Sequence, residues 1–165
     1  MISEEIRARF DREVAKYPSE RKQSAVMACL SIVQDAQGWV SPESEQDIAD
    51  YLGMAPMAVH EVTTFYNMYN QKPVGQFKLN VCTNLPCQLR GGKNALEHLQ
   101  AELGISAGQT TADGVFTWQE CECLGACADA PVMLVNDRKM LSYMSHDRLD
   151  SLVGDLRAAA KGSAQ

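Results

Sequence analysis

No stretch of eighteen apolar residues occurs anywhere in this sequence, and lysine and arginine are nowhere clustered. The first absence excludes a conventional membrane-crossing helix. The second, together with a formal net charge of -6, argues against a nucleic-acid partner, because binding to a phosphate backbone depends on grouped cations. The opening segment MISEEIRARFDREVAKYP mixes acids with bases and has no continuous apolar core, so it does not read as an export signal. The expectation is a soluble chain that is not exported. Catalytic signatures are missing too: no G-x-G-x-x-G follows a strand, no P-loop is present, and no Ser-His-Asp or zinc-protease set can be assembled. There is thus no visible nucleotide or flavin site. C-x-x-C is also absent, which removes the thioredoxin-type catalytic pair.

What remains is an ordinary folding composition with 45% hydrophobic and 22% charged residues, which places the chain among globular proteins resting on apolar burial. The first 72 residues read as four short helices. Ile2, Ile6, Phe10 and Val14 make one apolar stripe that Pro18 ends; Val26, Cys29, Leu30 and Val33 make a second, stopped by Gly38. Ser41-Pro42 followed by Glu43 and Glu45 is an N-cap, a first-turn proline and acids suited to the helix dipole, with Gly53 as the stop. Pro56 opens a fourth helix carrying Val59, Val62, Phe65, Tyr66 and Tyr69. The aromatic trio reads as core, with a docking surface as the alternative. Methionines between Met54 and Met68 read as packing filler.

From Pro73 onward strands alternate with helices. Phe77, Leu79 and Val81 alternate along a strand ending at Cys82; a helix is expected from Gly92 to Leu103 with Gly104 as its stop; Val115–Cys121, Val132–Val135 and Lys139–Met144 read as strands, with a turn at Asn136-Asp137. Ser145 caps a last helix bearing Leu149, Leu152, Val153 and Leu156, and AAAKGSAQ reads as a frayed tail. The order β-α-β-β-β-α suits a small sheet with helices against it, its first β-α-β step being a crossover.

Six cysteines in a chain with an intracellular look point to metal or redox ligands rather than disulfides. Cys82 and Cys87 have four residues between them, and Cys123 and Cys127 have three; both pairs fall in loops after expected strands. Such loops can wrap backbone N–H groups around an anionic centre, and Gly125 would permit close backbone approach. A 2Fe-2S cluster and a structural zinc ion both accept four cysteines; the wide gaps favour the cluster over zinc knuckles, whose pairs are tighter. Cys121, two residues before Cys123, would share its face in an extended strand and could substitute for it. Cys29 reads as a buried structural thiol. His60, His98 and His146 fall on separate helices with no metal-like spacing, against a Rieske-type site. Glu120 and Glu122 flank the second pair and would make it more negative if they face it.

Taken together, Cys82 to Pro86-Cys87, Glu122-Cys123-Leu124-Gly125-Ala126-Cys127, Ala130-Pro131 and the earlier Thr63-Thr64-Phe65-Tyr66 closely resemble the 24-kilodalton subunit family of respiratory complex I over nearly the whole chain. The resemblance implies an α/β chain with a helical docking domain at 1–72 and a thioredoxin-like ferredoxin domain at 73–165. It implies that Cys82, Cys87, Cys123 and Cys127 bind one 2Fe-2S cluster. It also implies that FMN and NADH sit on a partner flavoprotein subunit, with further iron-sulfur subunits alongside and no nucleic acid or direct membrane insertion. The chain would then be a non-catalytic electron-transfer subunit of an NADH-quinone oxidoreductase, peripheral on the cytoplasmic side of the inner membrane. The nearer alternative is an equivalent diaphorase subunit of a soluble NAD-linked hydrogenase or formate dehydrogenase; the distant one is a zinc-stabilised interaction module.

Overall fold

The computed structural model describes residues 2–162, and the chain divides into two compact units between Pro73 and Val74. The first unit is helical: α1 (Glu4–Val14), α2 (Val26–Gln37), α3 (Pro42–Leu52) and α4 (Pro56–Phe65). Ser3 caps α1, its Oγ accepting from the Ile6 N–H at 3.3 Å. Ser41 caps α3 as its sequence requires, accepting from the Ser44 N–H at 3.2 Å, and Gly53 ends that helix in the left-handed region. A 3₁₀ segment, Ser19–Ala25, was not expected; this polar run shows no apolar period to betray it.

The core of this unit comprises Phe10, Ala25, Cys29, Leu30, Val33, Val40, Ile48, Ala49, Leu52, Val59 and Tyr69, with Met54 and Met68 packed on its margin. The expected aromatic core holds for Tyr69 only. Phe65 is 79% exposed and Tyr66 39%, the two rings meeting edge to face, because α4 ends at Phe65 and the chain turns away before Tyr69 returns to the interior. Met57 is likewise exposed rather than filling a gap.

The second unit is built on a four-stranded sheet in the order β2-β1-β3-β4, with β1 (Phe77–Cys82), β2 (Phe116–Cys121), β3 (Met133–Val135) and β4 (Lys139–Leu141). Its helices are α5 (Leu85–Leu89), α6 (Gly92–Leu103) and α7 (His146–Gly162). β1 and β2 run parallel, joined by the expected crossover, whereas β3 is antiparallel to both β1 and β4. Alternate residues Leu79, Val81, Phe116, Trp118, Met133 and Val135 pack with Ala95, Leu99 and Leu103 of α6 and with Leu149 and Val153 of α7. The two-residue period of a strand then assigns Lys78, Asn80 and Cys82 to the opposite face of β1.

At the β3–β4 corner the Arg138 N–H closes on the Val135 carbonyl, and Asn136 and Asp137 both take positive φ. This is the primed type of hairpin turn, which Asn and Asp tolerate better than most residues. Asp137 reaches back to pair with the Lys78 ammonium at 2.9 Å. β4 is shorter than expected because Tyr143 also sits at positive φ, which a continuing strand cannot accommodate. α7 is longer than expected: the helix continues through Gly162, so most of the expected frayed tail is ordered, and 163–165 lie outside the described residues.

Candidate metal-cluster site

The C-terminal ends of the parallel pair β1 and β2 deliver the cysteines. Cys82 is the last residue of β1, and the ladder runs one step further where the Thr83 N–H donates to the Cys121 carbonyl at 3.2 Å. Cys87 does not lie in an open loop as expected. It is the third residue of the short helix α5 and is 1% exposed, as is Cys82. The signal for α5 was present: Asn84 at the N-cap and Pro86 in the first turn suit a helix start, but five residues are too few to show a period. Cys123 lies in the loop beyond β2 and is exposed; Cys127 begins a 3₁₀ turn, Cys127–Asp129, that runs into the cis Ala130-Pro131 bond.

Around these thiols Ala130 and Val132 are buried, with Cys121, Leu124 and Ala126 packed against them. The Cys123 and Cys127 sulfurs are 3.6 Å apart, and the Gly125 N–H points at the Cys123 sulfur at 3.4 Å. Burial is the main reason the Cys87 thiol is pushed above its ordinary range, with Cys82 and Cys127 beside it adding to the rise. The Cys127 thiol is also raised, first by its contact with Cys123 and then by burial and by Cys82. Each of these two thiols is thus disfavoured as an anion by other members of the set. That penalty is the one a bound cation reverses.

Four thiols can serve either one metal ion or a two-iron cluster. Four thiolates about 2.3 Å from a single zinc lie about 3.8 Å from one another. Cys123 and Cys127 meet that spacing. Cys87 meets Cys82 and Cys123 meets Cys127, and a 2Fe-2S unit takes two thiolates on each iron.

Two expectations about the neighbours need correcting. β2 ends at Cys121, so Cys121 and Cys123 do not share the face of an extended strand; Cys121 is instead the register partner of Cys82. Gly125 sits at φ +75° with open space where a Cβ would be, so the backbone turn, not a close approach, calls for glycine there. The close approach is at Gly92, where a Cβ would lie 2.7 Å from the Cys87 carbonyl oxygen. Sequence reading missed it. Glu120 and Glu122 are both exposed, and Glu122 accepts a hydrogen bond from Asn84.

The remaining candidates stand apart from this set. Cys29 is fully buried in the helical unit, as expected, and its thiol is pushed up to about 12, chiefly by burial. His60 pairs with Glu45 on α3 at 2.9 Å. The fold does bring together two histidines that the sequence kept apart: His98 and His146 stack with ring centroids 4.2 Å apart, His98 also meeting Asp150 at 2.6 Å. Parallel rings aim their nitrogen lone pairs side by side, which is no arrangement for a shared metal ion.

The family model for thioredoxin-like 2Fe-2S ferredoxin matches residues 10–157. Among curated proteins the chain is similar to NADH-quinone oxidoreductase subunit 2 of Thermus thermophilus, with 40% identity over 152 residues, 92% of this chain and 84% of that one. It is also similar to an NADH-quinone oxidoreductase subunit of Rhizobium meliloti, with 39% identity over 156 residues, 94% of this chain and 91% of that one. Among solved structures, an NAD+-reducing NiFe hydrogenase in the H2-reduced state aligns with TM-score 0.70 and 22% identity over 81% of this chain and 22% of that one, a likeness of fold. No helix among the described residues is long and apolar enough to cross a membrane.

Proposed function

Since the chain belongs to the thioredoxin-like 2Fe-2S ferredoxin family, we propose that it is the electron-transfer subunit of the NADH dehydrogenase module of an NADH-quinone oxidoreductase, with Cys82, Cys87, Cys123 and Cys127 as its cluster ligands. The observation that carries this reading is that, at the end of β1, Cys87 and Cys127 each lie close enough to Cys82 for it to act on them, while Cys123 touches Cys127. When bound, a 2Fe-2S cluster supplies a one-electron redox centre.

The chain's own residues do the rest. Cys82 and Cys87, both buried, keep water from one side of the site, while exposed Cys123 leaves the other side open for electron exchange. The Gly125 N–H, aimed at the Cys123 sulfur, favours the negative charge that a ligating thiolate carries. The chain itself performs no bond chemistry. NADH gives up two electrons as a hydride, which a one-electron centre cannot accept, so FMN and NADH belong on a partner flavoprotein subunit. The helical domain, 1–72, docks on that partner, and exposed Phe65, Tyr66 and Met57 are the apolar side chains it offers. Further iron-sulfur subunits complete the module, which lies peripherally on the cytoplasmic side of the inner membrane.

Anaerobic purification followed by visible absorption and EPR spectroscopy tests the reading. The expected result is a coloured protein with two irons per chain and a 2Fe-2S signal on reduction. A colourless protein with stoichiometric zinc would overturn it in favour of a zinc-stabilised module. The hydrogenase likeness favours a second reading, a diaphorase subunit of a soluble NAD-linked enzyme. Fractionation distinguishes the two: co-purification of the native chain with a membrane-bound quinone reductase supports the first, and recovery with a soluble hydrogenase or formate dehydrogenase supports the second. Deleting 1–72 should spare the cluster signal and weaken flavoprotein binding.

A further inference from the structure

Before metal arrives, protein groups alone must hold the two cysteine loops together. Two polar links answer to that need. Asn84, between Cys82 and Cys87, donates from Nδ2 to Oε2 of Glu122, the residue before Cys123, at 2.9 Å. Arg90, just beyond Cys87, donates from Nη1 to the carbonyl of Ala128, just beyond Cys127, at 2.8 Å. Both links join positions 38 apart in sequence, so they run in one register and bracket Cys87 on one loop and Cys123 and Cys127 on the other.

The first link is made at the expense of a local one. Asn84 is the N-cap of α5, and Asn is among the residues best suited to cap a helix with its own side chain, yet no side-chain cap is formed here. Its amide is turned outward to the other loop. The 127–129 turn is fastened from a third direction: Tyr143 donates through its hydroxyl to the Asp129 carboxylate at 2.6 Å and through its N–H to the Asp129 carbonyl at 2.8 Å. Tyr143 adopts positive φ, an uncommon conformation for a bulky residue, where it makes both contacts.

We propose that Asn84 and Arg90 are positioning residues that clamp the two cysteine loops together in the metal-free chain, so that the cluster enters a preformed cradle. This rests on the assignment of the four cysteines as ligands. The bonds themselves need no metal: donors and acceptors are all protein groups, and one partner of each link is charged, the stronger class of hydrogen bond.

The test uses the full chain, with iron removed by a chelator, and reads amide hydrogen exchange over 83–91 and 121–129. The wild-type apo chain is expected to protect these loops. The Asn84→Ala/Arg90→Ala variant is expected to lose that protection while α6 and α7 keep theirs, and its holo form to release iron to a chelator about tenfold faster for each link lost, the rate equivalent of one net hydrogen bond to a charged group. Glu122→Gln keeps an acceptor for Asn84, and Arg90→Lys keeps a donor for Ala128, so each of these single variants should retain protection. The single alanine variants, each affecting one surface link, provide the same readout should the double variant fold poorly. Free exchange of both loops in wild-type apo protein, or an unchanged double variant, would overturn the clamp. A purified chain without a 2Fe-2S signal would instead overturn the ligand assignment, and the exchange measurement would still report on the loops.

Discussion

Cys82 and Cys121 stand directly opposite each other as the last register pair of the parallel β1–β2 ladder. This places Cys121 beside Cys82, the first of the four proposed ligands, and removes the strand argument for its competing with Cys123. Cys123→Ser should therefore perturb or abolish the 2Fe-2S EPR signal while Cys121→Ser leaves it nearly intact. Should any variant recruit Cys121 as a substitute ligand, the register names Cys82→Ser as that variant, recognisable by an EPR signal that disappears in the Cys82→Ser/Cys121→Ser double variant. A cluster lost in Cys121→Ser but kept in Cys123→Ser would mean that the ligand set is misassigned.

Gly92→Ala introduces a Cβ 2.7 Å from the Cys87 carbonyl oxygen and 2.9 Å from its carbon, backbone atoms that cannot rotate aside. The expected cost is about 1–3 kcal/mol of stability, as for other overpacked sites. Because the strain falls on the peptide that carries Cys87, iron content should drop along with the melting temperature. Full iron occupancy with unchanged melting would contradict the close approach.

Lys78 is a buried cation, its side chain 3% exposed, paired with Asp137 at the β3–β4 turn. Asn80 donates to the same carboxylate, and Asn136 both accepts from the Lys78 N–H and donates to its carbonyl, so this corner pins the hairpin to β1. Lys78→Met leaves Asp137 without its countercharge and should cost about 3 kcal/mol in urea denaturation. Lys78→Met/Asp137→Asn should recover part of that loss, because it removes the stranded charge.

Thiol alkylation followed by mass spectrometry should rank the cysteines of the apo chain. Cys123, the exposed one, should react first. Cys29, fully buried and with its thiol pushed up to about 12, should stay unmodified at pH 8 until denaturant is added. Early labelling of Cys29 would show that the helical core opens readily.

What could be read from the sequence was local. Ser41, Pro42 and Gly53 fix both ends of α3 within one turn each, and the alternation Phe77, Leu79, Val81 sets which side of β1 meets the helices. The four cysteines proposed as ligands stand out in the sequence by spacing and by the motif around Leu124-Gly125. The misses have other physical causes. Periodicity shows which residues share a face but not whether anything covers it, hence the exposed Phe65 and Tyr66. A five-residue helix such as α5 is shorter than any periodic window. The Asn84–Glu122 link, the Gly92–Cys87 approach and the His98–His146 stack join groups on different elements, where no pattern of neighbours in sequence announces them.

β1 is flanked by strands that both come later in the chain, β2 on one side and β3 on the other. On the ribosome the first cysteine pair is therefore made well before the elements that will enclose it. Cys82 and Cys87 are made before α6, and the Cys82 N–H meets its Val132 acceptor only after Cys127 has been made. A chain cut short before Cys123 carries only two of these four cysteines. All four of these cysteines and the Val132 carbonyl that anchors Cys82 exist together only once translation has passed β3.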